Sequence, residues 1–260
     1  MIDIHCHILP GIDDGAKDMD TSIEMLKIAE EDGIKKIIAT PHFYRGHYEN
    51  KYQDVVKKVE ELNIVAMKNG IEVEILPGQE IFLDKYTLQY YKEGIIKGLN
   101  NTEYMLLELS PLEFPLYALD VIYELKLYGI KPIIAHPERY LYVNRDISIL
   151  NELIEEQCFF QINAGSVRGI FGKKTQNTAI GLIKNNICDL VASDAHSTGG
   201  RRPKIKESLM EIQKQNKQNY EKIISNFTAL SKGDEIFYTN RKIKENKSFL
   251  SKFIRKLIID

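Results

Sequence analysis

Short apolar, β-branched runs alternate along this chain with longer amphipathic stretches, and that alternation restricts the fold more than any other feature. The runs fall at residues 2–5, 36–40, 73–76, 104–109, 131–135, 159–163 and 188–192. Between them the pattern predicts helices near 20–32, 49–69, 84–93, 117–128, 146–156 and 174–186, with two more near 204–215 and 217–228. Gly33, Gly70 and Gly129 sit where helix C-caps belong. Strands that alternate with helices make βαβ units and parallel pairing. Seven such strands favour an α/β barrel over a short open sheet. A chain of 260 residues suits one domain of this size, and no low-complexity linker divides it.

The polar residues fall at the ends of these runs. His5 and His7 close the first, and on a strand residues i and i+2 share a face. His42 follows the second run, in Thr40-Pro41-His42, and Glu80 follows the third, in Pro77-Gly78-Gln79-Glu80. Glu108 stands near the end of the fourth, His136 after the fifth, Asn163 at the end of the sixth, and Asp194 and His196 after the seventh. Asp13 and Asp14 follow the first pair. Only His47 of the six histidines lies outside these motifs. One histidine after a strand is ordinarily a cap or a solvent-facing residue. A whole set at strand C-termini is different, because a barrel gathers those ends at one mouth. The set exceeds what one ion needs, so the reading is a multinuclear hydrolytic metal centre. Glu108 adds to it, since a carboxylate in an otherwise apolar strand is costly unless paired or bound to metal.

Arginines stand close by: Arg139 three residues after His136, and Arg201 and Arg202 shortly after Asp194. Their forks suit phosphate oxygens, and spacing alone leaves Arg201 and Arg202 as alternatives. Phe43, Tyr44, Tyr48 and Phe114 lie in predicted loops, where they can wall a pocket or simply cover the core. Residues 241–260 read as a separate basic segment, an amphipathic helix packed on the barrel or turned to anionic membrane or a partner. The net charge of −2 argues against a nucleic-acid binder. Cys6, Cys158 and Cys188 show no metal-ribbon or CxxC spacing, which fits a reducing cytoplasmic compartment. Candidate ligands that start at residue 5 argue against a cleaved signal peptide, and no apolar run is long enough to span a bilayer.

These motifs resemble the PHP superfamily (polymerase and histidinol phosphatase). More narrowly, His5-Cys6-His7-Ile8-Leu9-Pro10-Gly11-Ile12-Asp13-Asp14-Gly15, Thr40-Pro41-His42, Gly78-Gln79-Glu80, Ala135-His136-Pro137-Glu138-Arg139 and Ser193-Asp194-Ala195-His196 resemble the CpsB-like group. That group comprises bacterial manganese-dependent tyrosine-protein phosphatases of capsule and exopolysaccharide biosynthesis. The resemblance covers residues 1–240. It implies a distorted (β/α)7 TIM-like barrel with three divalent ions, Mn ahead of Fe or Zn. It implies that His5, His7, Glu80 and Asp194 hold one ion. Glu80 would bridge to a second, held also by Glu108 and His136, and Asp14, His42 and His196 would hold the third. Arg139 and Arg201 would bind phosphate, although Arg201-Arg202-Pro203 stands where the group has Arg-Pro-Pro. The implied substrate is a phosphotyrosine protein, a bacterial tyrosine kinase that controls polysaccharide export, met in the cytoplasm or at the inner face of the membrane.

The residues support that chemistry independently. Metal-activated water attacks phosphorus, and arginines bind the remaining oxygens. A cysteine nucleophile would need an arginine six residues on, but Ile12, Ala164 and Asp194 stand there. Three rivals share the sequence pattern: a histidinol-phosphate phosphatase or other PHP phosphoesterase, a C–N-cleaving metal barrel, and a non-enzymatic module that docks a kinase or membrane.

Overall fold

The computed structural model describes residues 1–244. Its strands are β1 (Ile2–Cys6), β2 (Lys36–Ala39), β3 (His42–Tyr44), β4 (Tyr48–Glu49), β5 (Glu74–Pro77), β6 (Glu80–Phe82), β7 (Tyr104–Glu108), β8 (Lys131–Ala135), β9 (Phe159–Asn163) and β10 (Leu190–Ala192). The helices are α1 (Met19–Glu31), α2 (Tyr52–Lys68), α3 (Thr87–Lys92), α4 (Ala118–Leu127), α5 (Asn151–Glu155), α6 (Ala164–Val167), α7 (Lys173–Lys184), α8 (Lys206–Gln215) and α9 (Lys217–Lys232).

A three-stranded parallel sheet runs β1-β2-β5, and a larger sheet runs β10-β9-β8-β7-β6-β3-β4, antiparallel only at β3–β4. Chain continuity joins them. β2 passes into β3 across Thr40-Pro41, where proline has no N–H for the ladder. β5 passes into β6 across Gly78-Gln79, where a Cβ on Gly78 would lie 2.6 Å from Ile38 Cγ2. The circle closes between the outer strands: Cys6 bridges Ala195, and the Asp194 N–H donates to the His5 carbonyl at 2.9 Å. Read around the barrel, the order is β1, β2–β3, β5–β6, β7, β8, β9, β10, which is seven strand positions in chain order. The barrel is distorted because β5 and β7 do not pair; the 3-10 turn Leu99–Asn101 packs against both.

Packing follows the sequence pattern. β7 buries Met105, Leu106 and Leu107, and β8 buries Ile133, Ile134 and Ala135, as strands covered on both faces must. On α2, Val55, Val59, Leu62 and Ala66 form one buried stripe. Asp18 caps α1, its side chain accepting from the Thr21 N–H at 2.8 Å.

Several boundaries differ from the sequence reading. The stretches expected to be loops after residues 40 and 77 contain β3, β4 and β6. They are short and rich in polar or aromatic residues, so no apolar run marks them. Because Tyr48 and Glu49 pair with β3, α2 starts at Tyr52 rather than 49. The helix expected over 146–156 is a 3-10 turn, Ile147–Leu150, followed by the short α5. The four-residue α6 is too short to show a period. Among the described residues no helix is long and apolar enough to cross a membrane. Of the expected basic segment 241–260, residues 241–244 are described and irregular. Ile243 is buried and exchanges two hydrogen bonds with the Asn151 amide, 2.8 and 3.0 Å. The rest of that segment lies outside the described residues.

Candidate active site

The barrel brings the sequence-selected residues to one mouth. β1 delivers His5, with His7 just beyond its end. β3 opens with His42 and β6 with Glu80, direct neighbours in register. Glu108 ends β7, His136 follows β8, and Asp194 and His196 follow β10. Asp14 arrives on a tight loop in which the Ala16 N–H donates to the His7 carbonyl at 3.0 Å. Gly15 permits that approach: a Cβ there would fall 2.1 Å from the His7 carbonyl oxygen. His136 and Asp194 take left-handed backbone conformations, φ 33° and 48°. Left-handed non-glycine residues are disfavoured and gather at functional sites.

Glu80, 1% exposed, is the hub. Its Oε2 lies 3.1 Å from His5 Nε2, 3.1 Å from His7 Nε2 and 3.2 Å from His42 Nδ1, and its Oε1 lies 2.8 Å from His136 Nε2. Asp194 Oδ1 faces His5, His7 and His196 at 3.5–3.6 Å. His42 Nε2 and His196 Nε2 stand 3.4 and 3.3 Å from Asp14 Oδ1. Glu108 Oε1 is 3.9 Å from His136 Nε2. Three overlapping groups have ligand atoms within 4.8 Å of one another: His5, His7 and Glu80; His7, Asp14, His42 and His196; and His42, Glu80 and Glu108.

The donor set fits divalent cations. His5 Nδ1 lies 2.9 Å from Gln161 Oε1, and His7 Nδ1 lies 2.8 Å from Asp13 Oδ2. Both partners are acceptors, so each ring carries its proton on Nδ1. The two Nε2 lone pairs then face each other at 3.2 Å, with the Glu80 carboxylate beside them. Lone pairs and a buried carboxylate repel unless positive charge sits among them, a divalent cation or added protons on the rings. Burial lowers the His5 and His7 pKa values, but the Glu80, Asp194 and Asp13 carboxylates outweigh it and raise both. Charges in the cluster move accordingly. Burial pushes the Glu80 carboxyl up, but the His5 and His42 imidazoles and the His136 hydrogen bond outweigh it and hold it well below the usual range. Burial, with the Glu80 charge beside it, lifts Glu108 to about 8.

Arg139 Nη1 and Arg201 Nη2 reach Asp194 Oδ2 at 2.9 and 2.8 Å, joined by Asn163 Nδ2 at 2.6 Å. The carboxylate therefore has one oxygen filled by donors and the other turned to the imidazoles. Arg201 rather than Arg202 faces the site, because its carbonyl accepts from the His196 and Ser197 N–H groups and folds the turn back, while Arg202 is exposed. The buried Arg201 Nε has no hydrogen-bond partner among the described residues. Phe171 underlies both guanidiniums, 4.7 Å from Arg139 Cζ and 5.8 Å from Arg201 Cζ. A cavity of about 460 Å³ opens over this cluster. Tyr44 and Tyr48 line it; Tyr44 stacks on Phe82 and Tyr48 on His42. Phe43 and Phe114 are buried and do not line this cavity.

Sequence reasoning left several contributors without a role. Gln161 and Asn163 face the interior from β9, Gln161 Nε2 donating to Asn163 Oδ1 at 2.7 Å, and so connect His5 to Asp194. Their alternation with Phe160 and Ile162 was the available signal. Asp13 was counted among the acids, and its position beside His7 Nδ1 makes it an orienting residue. Buried Glu138 accepts from the Asn163 N–H at 2.9 Å, and burial lifts its pKa to about 7. Phe171, in a glycine-flanked loop, carried no motif. The three cysteines are free and buried, and burial raises each thiol.

Known proteins share this architecture. The tyrosine-protein phosphatase YwqE of Bacillus subtilis is 41% identical over 215 residues, covering 83% of this chain and 85% of YwqE. The tyrosine-protein phosphatase CpsB of Streptococcus agalactiae is 29% identical over 217 residues, covering 82% and 89%. A crystal structure from work on B. subtilis YwqE and Streptococcus pneumoniae CpsB, described as unique metal-dependent tyrosine phosphatases, superposes with TM-score 0.89 at 38% identity. It covers 94% of this chain and 100% of that one. A zinc-bound histidinol phosphate phosphatase from Lactococcus lactis shares the fold alone, at TM-score 0.52 and 14% identity, covering 84% and 93%. The family model for capsular polysaccharide synthesis proteins of the CpsB/CapC type matches residues 1–232, and the chain belongs to that family.

Proposed function

We propose that this chain is a metal-dependent phosphomonoesterase that hydrolyses phosphotyrosine on protein, in the control of capsular or extracellular polysaccharide synthesis. The observation that carries the reading is one cavity lined by Asp14, His42, Glu80, Glu108, His136, Asp194 and His196 beside Arg139 and Arg201, with the buried His5 and His7 grouped with Glu80. The relatives named as tyrosine phosphatases supply the substrate class.

The ligand assignment we favour is three divalent ions, Mn by resemblance. His5, His7, Glu80 and Asp194 hold the first. Glu80, Glu108 and His136 hold the second, and Asp14, His42 and His196 the third. His42 stands between two of these positions, with Nδ1 toward Glu80 and Nε2 toward Asp14. Imidazole and carboxylate without thiolate suit Mn, Fe or Zn. Bound ions supply Lewis acidity, lowering the pKa of a water and offsetting phosphoryl charge.

The chain's own groups do the rest. Gln161 and Asp13 hold the His5 and His7 rings in one tautomer, so their Nε2 atoms stay available. Arg139 and Arg201 bind phosphoryl oxygens with the N–H groups not spent on Asp194, Arg201 Nε among them. Tyr44 and Tyr48 flank the aryl ring. The tyrosine leaving group has a pKa of about 10, so its departure needs little proton donation. The buried cysteines take no part.

The reaction belongs in the cytoplasm or at the inner face of the membrane, with a bacterial tyrosine kinase as substrate. We take residues 1–240 as the catalytic unit and the basic segment 241–260 as an added element, with peripheral membrane or kinase contact the alternative to packing on the barrel. The test is phosphate release from a phosphotyrosyl peptide by the full chain, with chelator and then with Mn restored. Chelator-sensitive, Mn-restored release is expected. A metal-loaded protein that hydrolyses histidinol phosphate but no phosphotyrosine would overturn the substrate assignment.

A further inference from the structure

A second cavity, about 750 Å³, adjoins the one over the metal cluster and shares three wall residues with it, Phe82, Ser110 and Leu112. Beyond that shared wall it is lined by Phe114, Pro115, Leu116 and Tyr117. Leu112 and Leu116 are each 69% exposed, an unusual placement for two leucines so close together. Tyr142 lines the same cavity. Its hydroxyl is buried and has no hydrogen-bond partner among the described residues, although a buried donor of this kind is normally satisfied. Arg145 and Glu113 complete the lining.

We infer that this cavity is a specificity subsite for the substrate polypeptide: it takes a large apolar side chain two residues from the phosphotyrosine. The inference rests on the phosphotyrosine reading above. In an extended peptide, residues i and i+2 point to the same face and lie about 7 Å apart. If the phosphotyrosine enters the metal-lined cavity, a side chain two positions away enters an adjoining one with a common wall. The apolar lining selects the side chain. The unpartnered Tyr142 hydroxyl, with the Arg145 guanidinium, provides donors for the neighbouring peptide carbonyl, which is a neutral acceptor and so is not repelled by Glu113. None of Leu116, Tyr142 and Arg145 touches the metal cluster, so the subsite acts on peptide substrates and not on the chemistry.

The test compares kcat/KM of the Mn-loaded full chain on phosphotyrosyl peptides carrying Leu or Gly two residues before or after the phosphotyrosine, with p-nitrophenyl phosphate as the small substrate. The wild type should prefer Leu on one side by about tenfold, the worth of burying much of a leucine side chain. Leu116→Asp should bring that ratio toward one, and Tyr142→Phe should lower kcat/KM on both peptides. Both variants should leave p-nitrophenyl phosphate turnover unchanged. Leu116 is exposed and Tyr142→Phe conserves the ring, so neither change threatens the fold. A wild type that cleaves the Leu and Gly peptides equally, or variants whose peptide kinetics match the wild type, would overturn the subsite while leaving the phosphatase reading in place. Hydrolysis of p-nitrophenyl phosphate but of no phosphotyrosyl peptide would overturn both.

Discussion

Replacing Glu80 by glutamine keeps the size of the side chain and removes its charge. Its oxygens face four imidazole nitrogens at 2.8–3.2 Å, so one substitution strikes two of the proposed ion positions. Loss of even a group that only orients a ligand costs about 10–100-fold in metal affinity, and Glu80 is itself a proposed ligand, so about 100-fold is a conservative figure. At free Mn about 100 times the wild-type Kd, binding stabilises the wild type by about 2.7 kcal/mol. The variant would then sit near its own Kd and gain about 0.4 kcal/mol. The difference, about 2.3 kcal/mol, corresponds to about 5–9 °C in Tm for a chain of this size. Without metal the variant should itself be less stable than the wild type, because the surrounding imidazoles hold Glu80 charged and glutamine loses that attraction; the Mn-induced rise in each protein therefore isolates the binding contribution. The assay is thermal unfolding of both proteins with chelator and with Mn, alongside bound-metal analysis and aryl phosphate turnover. An equal Mn-induced rise in Tm, with equal metal content and activity, would refute Glu80 as the shared ligand.

Three further outcomes follow from the geometry. Arg139→Ala removes one of two guanidiniums offered to phosphate while Arg201 still holds Asp194; kcat/KM for aryl phosphates should fall about 10- to 150-fold at unchanged metal content, since a hydrogen bond to a charged group is worth about 1.5–3 kcal/mol. Normal kinetics would place the phosphate contact elsewhere. Gly15→Ala forces a methyl to within 2.1 Å of the His7 carbonyl oxygen, so the Asp13–Asp14 loop must move; a stability loss of about 1–3 kcal/mol and weaker metal binding should both appear, and an unaltered Tm would show that the loop yields freely. Iodoacetamide should leave activity intact because Cys6, Cys158 and Cys188 are buried, whereas chelator should abolish it; the reverse pattern would point to thiol chemistry.

The fold was legible wherever an apolar run was long enough to be seen. β1, β7, β8 and β9 are runs of five residues, and each was expected within a residue of where it lies. β3, β4 and β6 were not, because two or three residues that include histidine, glutamate and tyrosine carry no hydrophobic period. Their pairing depends on the strand breaks at Thr40-Pro41 and Gly78-Gln79. Those breaks become visible only when the two sheets are seen to share strands.

The ligand candidates were legible for a different reason: histidines and acids recur at the end of one apolar run after another, and the barrel gathers those ends. What orients them was not legible. Gln161 and Asn163 are neutral amides on a strand, and in isolation such residues read as tolerated polar positions. Their contribution appears only in combination, as His5 Nδ1 meets Gln161, Gln161 meets Asn163, and Asn163 meets Asp194 within 2.6–2.9 Å at every step. The same holds for Phe171, whose ring lies beneath two arginines that are 62 residues apart in sequence. A sequence reveals groups whose chemistry is rare. The common groups that aim them are found only through the contacts the fold creates, and for this site those contacts set the tautomers of His5 and His7 on which any metal binding there depends.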